Sequence, residues 1–371
     1  MENDTPIFPQ EIISSILVRL PVKALIRFQC VCKDWKNLFR TPSFIAEHLH
    51  HSTRQNPLLI VDSIISEGNP WHIYLLNPEM QIHEFHNTHI IDPLMPGLVY
   101  SSNGLLCLKL SDSFCLWNPA IRVVRRVPKS LNNYKYEHFS VGFGFSPIIN
   151  DYKIVKLFLS GYFVVQGEVY SLRTGLWRKV EVGKLEGVYG LGGEAFPCNG
   201  EIFWIGKKKD VEGHYWIVSF DIANEVFTLT PFPTSHQRSY NTLASYENKL
   251  AILFPTWIEN SESYVIDLWV LEECADPSKG RWNWAKIYTS RPNPYRCIIW
   301  PKIIWRNEIV CSVEAFPKYQ IEGEEEDYEG KVVLCNLSTD EFNFFDIPIC
   351  SYSPRILEYV ESLVLLDNIH V

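Results

Sequence analysis

From residue 57 onward the chain repeats itself, and the repeat limits the fold more than any other feature. A polar turn followed by a short apolar run occurs at Asn103-Gly-Leu-Leu-Cys-Leu108, Asn199-Gly-Glu-Ile-Phe-Trp204, Glu247-Asn-Lys-Leu-Ala-Ile-Leu253 and Arg306-Asn-Glu-Ile-Val-Cys311. A second phrase, strand then polar turn then strand, runs through Phe114–Pro128, Val169–Trp177, Ser219–Phe227 and Leu334–Phe342, with a degenerate copy at Tyr74–Ile82. Short β-rich runs bounded by turn residues read as antiparallel strands. The second-phrase anchors Asn118, Leu172, Asp221, Val270 and Asn336 are 54, 49, 49 and 66 residues apart. A period near 50 residues holding about four strands is the signature of propeller blades. Roughly 310 residues at about 50 per blade give six blades, with seven left open. Closing such a ring pairs its first and last strands and removes exposed sheet edges. Glu361–Leu366 is the expected closing strand and Leu58–Val61 its expected partner.

Residues 6–48 have a different texture. Pro9 suits a first helical turn, and Ile12, Ile13, Ile16, Leu17 and Leu20 follow at helical spacing. Pro21 ends that helix and opens a second, carrying Val22, Leu25, Ile26 and Phe28. A third runs from about Val31 to Phe39, and a short helical turn extends through His48. The expected division is a three-helix unit at 1–50 and the β body at 51–371. Residues 12–45 hold sixteen large apolar side chains in 34 positions. A unit this small cannot bury them all internally. Some must face the rest of the chain or another protein, because large exposed apolar patches mark partner sites.

The stretch Phe8-Pro-Gln-Glu-Ile-Ile-Ser-Ser-Ile-Leu-Val-Arg-Leu-Pro-Val-Lys-Ala-Leu-Ile-Arg-Phe-Gln-Cys-Val-Cys-Lys-Asp-Trp35 resembles an F-box, with Phe8 where Leu is usual. The body resembles the type-one F-box-associated domain of plant F-box proteins, itself similar to kelch propellers. Its resembling phrases are Ser101–Cys107, Leu116-Trp-Asn-Pro119, Gly142–Pro147 with Asn150-Asp-Tyr-Lys153, Glu168-Val-Tyr-Ser171 and Ile266–Leu271. The pollen S-locus F-box proteins of self-incompatible plants form one branch with these phrases. The resemblance implies a mainly β chain: a small helical F-box followed by a kelch-like β-propeller. It also implies docking to a Skp-type adaptor of a cullin–RING ubiquitin ligase through Pro9, Ile13, Leu17, Leu20, Pro21, Leu25, Val31, Cys32 and Trp35. The propeller would then present loops to a protein target, and the chain itself would do no bond chemistry. A non-degradative scaffold shares every one of these features, and a propeller enzyme would need a convergent acid pair, Arg cluster or metal set.

Charge and cysteine content agree with such a protein. The formal charge is −9, and a net-acidic chain is a poor partner for nucleic acid. Six of the acids (Glu322, Glu324, Glu325, Glu326, Asp327 and Glu329) stand in one stretch without a base. That stretch is expected as an extended loop, either a solvated spacer or an element that selects partner surfaces by charge. Ten cysteines without a C-x-x-C pair read as small buried hydrophobes in a reducing compartment, cytosol or nucleus. No basic-then-apolar leader opens the chain, and no apolar run has bilayer length, so no membrane partner is expected.

No cofactor or metal is expected. Gly190-Leu-Gly-Gly-Glu-Ala195 fits G-x-G-x-x-A by letter, but Phe196-Pro197 follows where a helix would have to start, so it reads as a turn. His83-Glu-Phe-His86 with His89 and His48-Leu-His-His51 read as surface histidines, since neighbours on a strand point to opposite faces. Lys207-Lys-Lys-Asp210 reads as a solvated hairpin tip, and most aromatics as propeller core.

Overall fold

The computed structural model describes residues 8–55, 57–63, 72–87, 97–110, 113–132, 138–209, 214–233, 241–273, 282–295, 297–315, 331–347 and 355–366. Among them are four α-helices, two single-turn 3-10 helices and twenty-four strands. The helices are α1 (Gln10–Leu17), α2 (Val22–Phe28), α3 (Lys33–Leu38) and α4 (Pro42–Gln55). The strands β1 (Leu58–Ser63), β2 (His72–Leu76) and β3 (Ile82–Asn87) come next. Five four-strand units follow. They are β4 (Gly97–Ser102) to β7 (Val123–Val127), β8 (His138–Ser146) to β11 (Leu176–Val180) and β12 (Val188–Cys198) to β15 (Val226–Pro231). The last two are β16 (Thr242–Tyr246) to β19 (Trp282–Thr289) and β20 (Cys297–Trp305) to β23 (Phe342–Asp346). The final strand is β24 (Arg355–Tyr359).

The turn chemistry read from the sequence builds each blade. In four blades the first strand joins the second through two residues, both with positive φ: Asn103-Gly104, Asn199-Gly200, Glu247-Asn248 and Arg306-Asn307. The flanking pairs Ser102↔Leu105, Cys198↔Glu201, Tyr246↔Lys249 and Trp305↔Glu308 close these hairpins. Two positive φ values suit the right-handed twist of the flanking strands, which explains the preference for Asn and Gly there. The second phrase is an Asx turn. Asn118 Oδ1 accepts from the Ala120 N–H at 3.1 Å, Asp221 Oδ1 from the Ala223 N–H at 2.8 Å and Asn336 Oδ1 from the Ser338 N–H at 2.9 Å. Two of the expected anchors depart from this: Leu172 lies in a turn where Ser171 Oγ accepts from the Thr174 N–H at 3.2 Å, and Val270 lies inside the strand Ser263–Glu273.

These strands form six antiparallel four-stranded blades, the lower of the two blade numbers expected. The six innermost strands β24, β4, β8, β12, β16 and β20 touch one another in cyclic order, so the blades close into a ring. The second and third blades are further joined by the pair Phe163↔Tyr189. Between blades the core takes in Trp204, Trp305, Tyr170, Phe143 and Phe220, all fully buried.

The closing strand differs from expectation. β1 pairs with β24, from Leu58↔Tyr359 to Asp62↔Arg355, and not with Glu361–Leu366. The buried Asp62 carboxylate accepts from the Arg355 N–H at 3.0 Å. An innermost strand lines the ring's axis, so Arg355 and Glu358 interrupt its apolar pattern and hide it from sequence reading. The Gly190–Ala195 segment also differs. It lies within β12, where register shifts on both sides of Gly192 absorb the glycines as bulges.

Glu361–Leu366 instead forms a strap between the ring and the helical head. Asn118 Nδ2 donates to the carbonyls of Ser362 and Val364, each at 2.9 Å, and an Arg125 N–H donates to the Leu366 carbonyl at 2.9 Å. On its other side Leu363 enters the head's core, and Glu361 accepts from the Val22 N–H at 3.2 Å. A Cβ on Gly104 would lie 2.2 Å from the Ser362 Cβ, so the strap needs glycine there.

The head's core is Leu17, Val18, Val22, Leu25, Phe39 and Phe44, with Leu363 from the strap and Ala120 and Ile121 from the first blade packed against it. α4 is longer than the expected turn and runs through residue 50. Its buried stripe consists of Phe44 and His48, and a buried histidine reads as polar in a sequence. His48 is 1% exposed, not a surface residue, and its Nε2–H donates to the Leu20 carbonyl at 2.9 Å. Burial lowers its pKa from the ordinary 6.5. Cys30 and Cys32 are exposed on the head, in contrast to the six other described cysteines, which are buried.

Two outcomes follow from this packing. Asn118→Ala orphans two carbonyls of the strap and lowers stability by about 1–3 kcal/mol, read from urea unfolding followed by near-UV dichroism. His48 binds its proton less readily when folded, so stability is full above about pH 6.5 and falls as pH drops through the histidine range. His48→Gln keeps a donor near Leu20 and flattens that part of a melting-temperature profile against pH.

Candidate functional site

α1 and α2 each carry two adjacent apolar stripes. In α1, Ile13 and Leu17 turn inward while Ile12 and Ile16 turn out, about 50% exposed each (47% and 54%). In α2, Val22 and Leu25 are fully buried and Ile26 is partly exposed. Phe8 at 57% and Val31 at 62% complete an outward apolar set. The set stands on residues that the propeller does not cover, although the opposite side of the same head is sealed by Leu363, Ala120 and Ile121.

The structure divides the expected docking residues. Pro9, Pro21, Val31 and Cys32 are exposed, and Ile13, Leu20 and Trp35 are half-buried. Leu17 and Leu25 lie in the head's own core at 2% and 0% exposure, where they hold the helices together instead of offering surface. Cys32 also caps α3, its Sγ accepting from the Trp35 N–H at 3.4 Å. The outward stripe holds Ile12, Ile16 and Ile26, which are absent from the expected set. Helical spacing reveals both stripes, but only packing decides which one is inside.

The ring has two unlike ends. Every innermost strand begins at one end and finishes at the other. The head sits where they finish, because β1 starts there after α4 and the strap leaves β24 there. A cavity of about 530 Å³ at this near end is lined by Thr53 of α4, Glu247, Glu358 and Arg306 among others. Its surroundings push the Glu358 carboxyl pKa up by desolvation.

At the far end a cavity of about 630 Å³ opens on the axis. Tyr100, Tyr162, Tyr189 and Tyr215 line it together with Lys207, Lys302 and Arg355. No Asp or Glu is among its described lining residues. The Lys207 ammonium lies 5.0 Å from the centre of the Tyr215 ring, on the wall of this cavity and not on a solvated hairpin tip. The Tyr162 carbonyl accepts from the Gly190 N–H at 3.0 Å, and the rings of Phe163 and Tyr189 lie 5.4 Å apart. The hairpin tip of the second blade is thereby held against the third, with the Tyr162 side chain 76% exposed. The acidic residues Glu322, Glu324, Glu325, Glu326, Asp327 and Glu329 lie outside the described residues, as does His89. His83 is exposed.

Two family profiles match this chain. One, described as F-box associated beta propeller domain, covers residues 61–347, and one described as F-box domain covers residues 6–46. The match does not carry the narrower type-one assignment. Three Arabidopsis thaliana relatives illustrate the similarity. An F-box protein is 22% identical over 77% of this chain and 80% of its own length. An F-box/LRR-repeat protein is 23% identical over 98% and 84%. An F-box/kelch-repeat protein is 24% identical over 75% and 78%.

Proposed function

Because the chain belongs to the F-box proteins that carry an F-box associated beta propeller domain, we propose that it is the substrate-recognition subunit of an SCF-type ubiquitin ligase. In this reading the head docks a Skp-type adaptor, and through it a cullin–RING assembly. The propeller holds a protein target for ubiquitination. The observation that carries the reading is the two-sided head: one face is sealed into the ring, while Phe8, Ile12, Ile16, Ile26 and Val31 remain uncovered on the other. Unsatisfied apolar surface of this kind gains its stability from a partner.

The chain forms and breaks no covalent bond in this role. It supplies proximity, converting a bimolecular encounter between target lysine and ubiquitin-charged enzyme into an effectively intramolecular one. Proximity is useful only if the target is held at a fixed position relative to the adaptor. The strap supports such a role, since it bonds simultaneously to the head and to the first blade. With the head on the near end, the far end faces away from the adaptor and is open to a target. The reading carries with it a cytosolic or nuclear location.

The test is capture of a plant Skp-type adaptor by the full chain. Ile16→Asp with Val31→Asp charges the uncovered face and leaves the core intact. Adaptor affinity falls by about a hundredfold or more, as for loss of two apolar anchors, while the melting temperature holds. Leu25→Asp, by contrast, places a charge in the head's core and unfolds it. Adaptor capture unchanged in the Ile16/Val31 double variant would overturn the assignment of the head.

A further inference from the structure

We propose that the far axial mouth binds an acidic segment of the target protein, one bearing carboxylate or phosphate side chains. The inference rests on the reading of the propeller as a receptor for a protein. Its first support is charge. Lys207, Lys302 and Arg355 are separated widely in sequence and lie on three different blades, yet ring closure brings them to one cavity. The chain as a whole carries −9, so a described lining that holds three cations and no Asp or Glu runs against its composition. The buried Asp62 stands directly opposite Arg355 in the β1–β24 ladder, where its carboxylate accepts the Arg355 backbone N–H. A concave site lined by one sign of charge focuses its field and raises the local concentration of the opposite ion.

The second support is the tyrosines. The exposed Tyr162 phenol supplies a neutral hydrogen-bond donor, and the rings of Tyr100, Tyr189 and Tyr215 wall the cavity. They also offer broad, stiff contact area, which is how binding surfaces favour peptides at low entropic cost. Tyr162 extends this surface outward beyond the cavity, on a hairpin held by β12. A small anion would fill only the cavity, whereas a peptide covers both the cations and the outer aromatic wall. At about 630 Å³ the cavity takes one or two side chains of such a segment.

The experiment selects a random peptide library on the immobilised full chain, without adaptor. Recovered sequences are then re-synthesised with Glu, phosphoserine or Gln at their acidic positions. Enrichment in Asp and Glu is expected, with the Gln versions about tenfold weaker or more. Lys302→Glu and the milder Arg355→Gln weaken binding by about tenfold, and Tyr162→Ala by a smaller factor, with unchanged melting temperatures. Recovery of no binder, selection without acid enrichment, or charge variants that bind as tightly as the parent would each overturn the proposal. Displacement by inorganic phosphate at the peptide's own affinity would assign the mouth to a small anion and overturn it too. Adaptor capture is measured separately with the Ile16→Asp/Val31→Asp chain. Failure of the ligase reading and failure of this inference therefore give different results.

Discussion

Everything in the molecule hangs on one backbone ladder, the pairing of β24 with β1. It joins residues almost three hundred positions apart, as in the register pair Asp62↔Arg355. Without it the blades form an open stack, with exposed strand edges at both ends. With it the ring has an axis, two ends and a defined exit point for the chain. The strap begins at that exit and can reach only the first blade and the head. Ring closure therefore sets the head's position as well as the axial cavities. The cost of closing so long a loop grows only slowly with its length, so a short ladder suffices once the blades have stacked.

The strap makes the two domains mechanically one. Leu363 belongs to the head's core, while the carbonyls on either side of it belong to Asn118 of the propeller. A short strip with alternate sides committed to different domains resists hinge motion, because neither domain can move without orphaning buried polar groups. Gly104 shows how tightly this junction is built, since even a methyl group there would collide with Ser362. The junction therefore holds the head in a fixed relation to the first blade.

The two ends of the axis are lined differently. The far mouth gathers lysine, arginine and tyrosine, while the near cavity mixes Glu247 and Glu358 with Arg306. The overall acidity of the chain says nothing of this arrangement. A net charge of −9 does not prevent a local cluster of cations at the far mouth from attracting acidic segments.

Much of the fold was legible because it rests on local chemistry. Asn103-Gly104 and Asn199-Gly200 announce their hairpins, since positive φ at two successive residues is a property of those residues alone. Asn118, Asp221 and Asn336 announce their turns for the same reason, and Pro9 and Pro21 mark the starts of α1 and α2. The uncovered face of the head was legible as a surplus of apolar residues, but not residue by residue, because Leu17 and Ile16 are neighbours of equal character. His48 misled because burial of a polar ring depends on a carbonyl twenty-eight positions away. Glu361–Leu366 misled because it is more apolar than the true closing strand, whose Arg355 and Glu358 line the far and near cavities. By itself the sequence determined blade, turn and helix, all settled within a few residues by torsion preference and apolar spacing. Only the tertiary structure decided which stripe faces out, which strand closes the ring and which cations share a mouth. Those outcomes depend on the long-range β24–β1 pairing, and no local interaction encodes it.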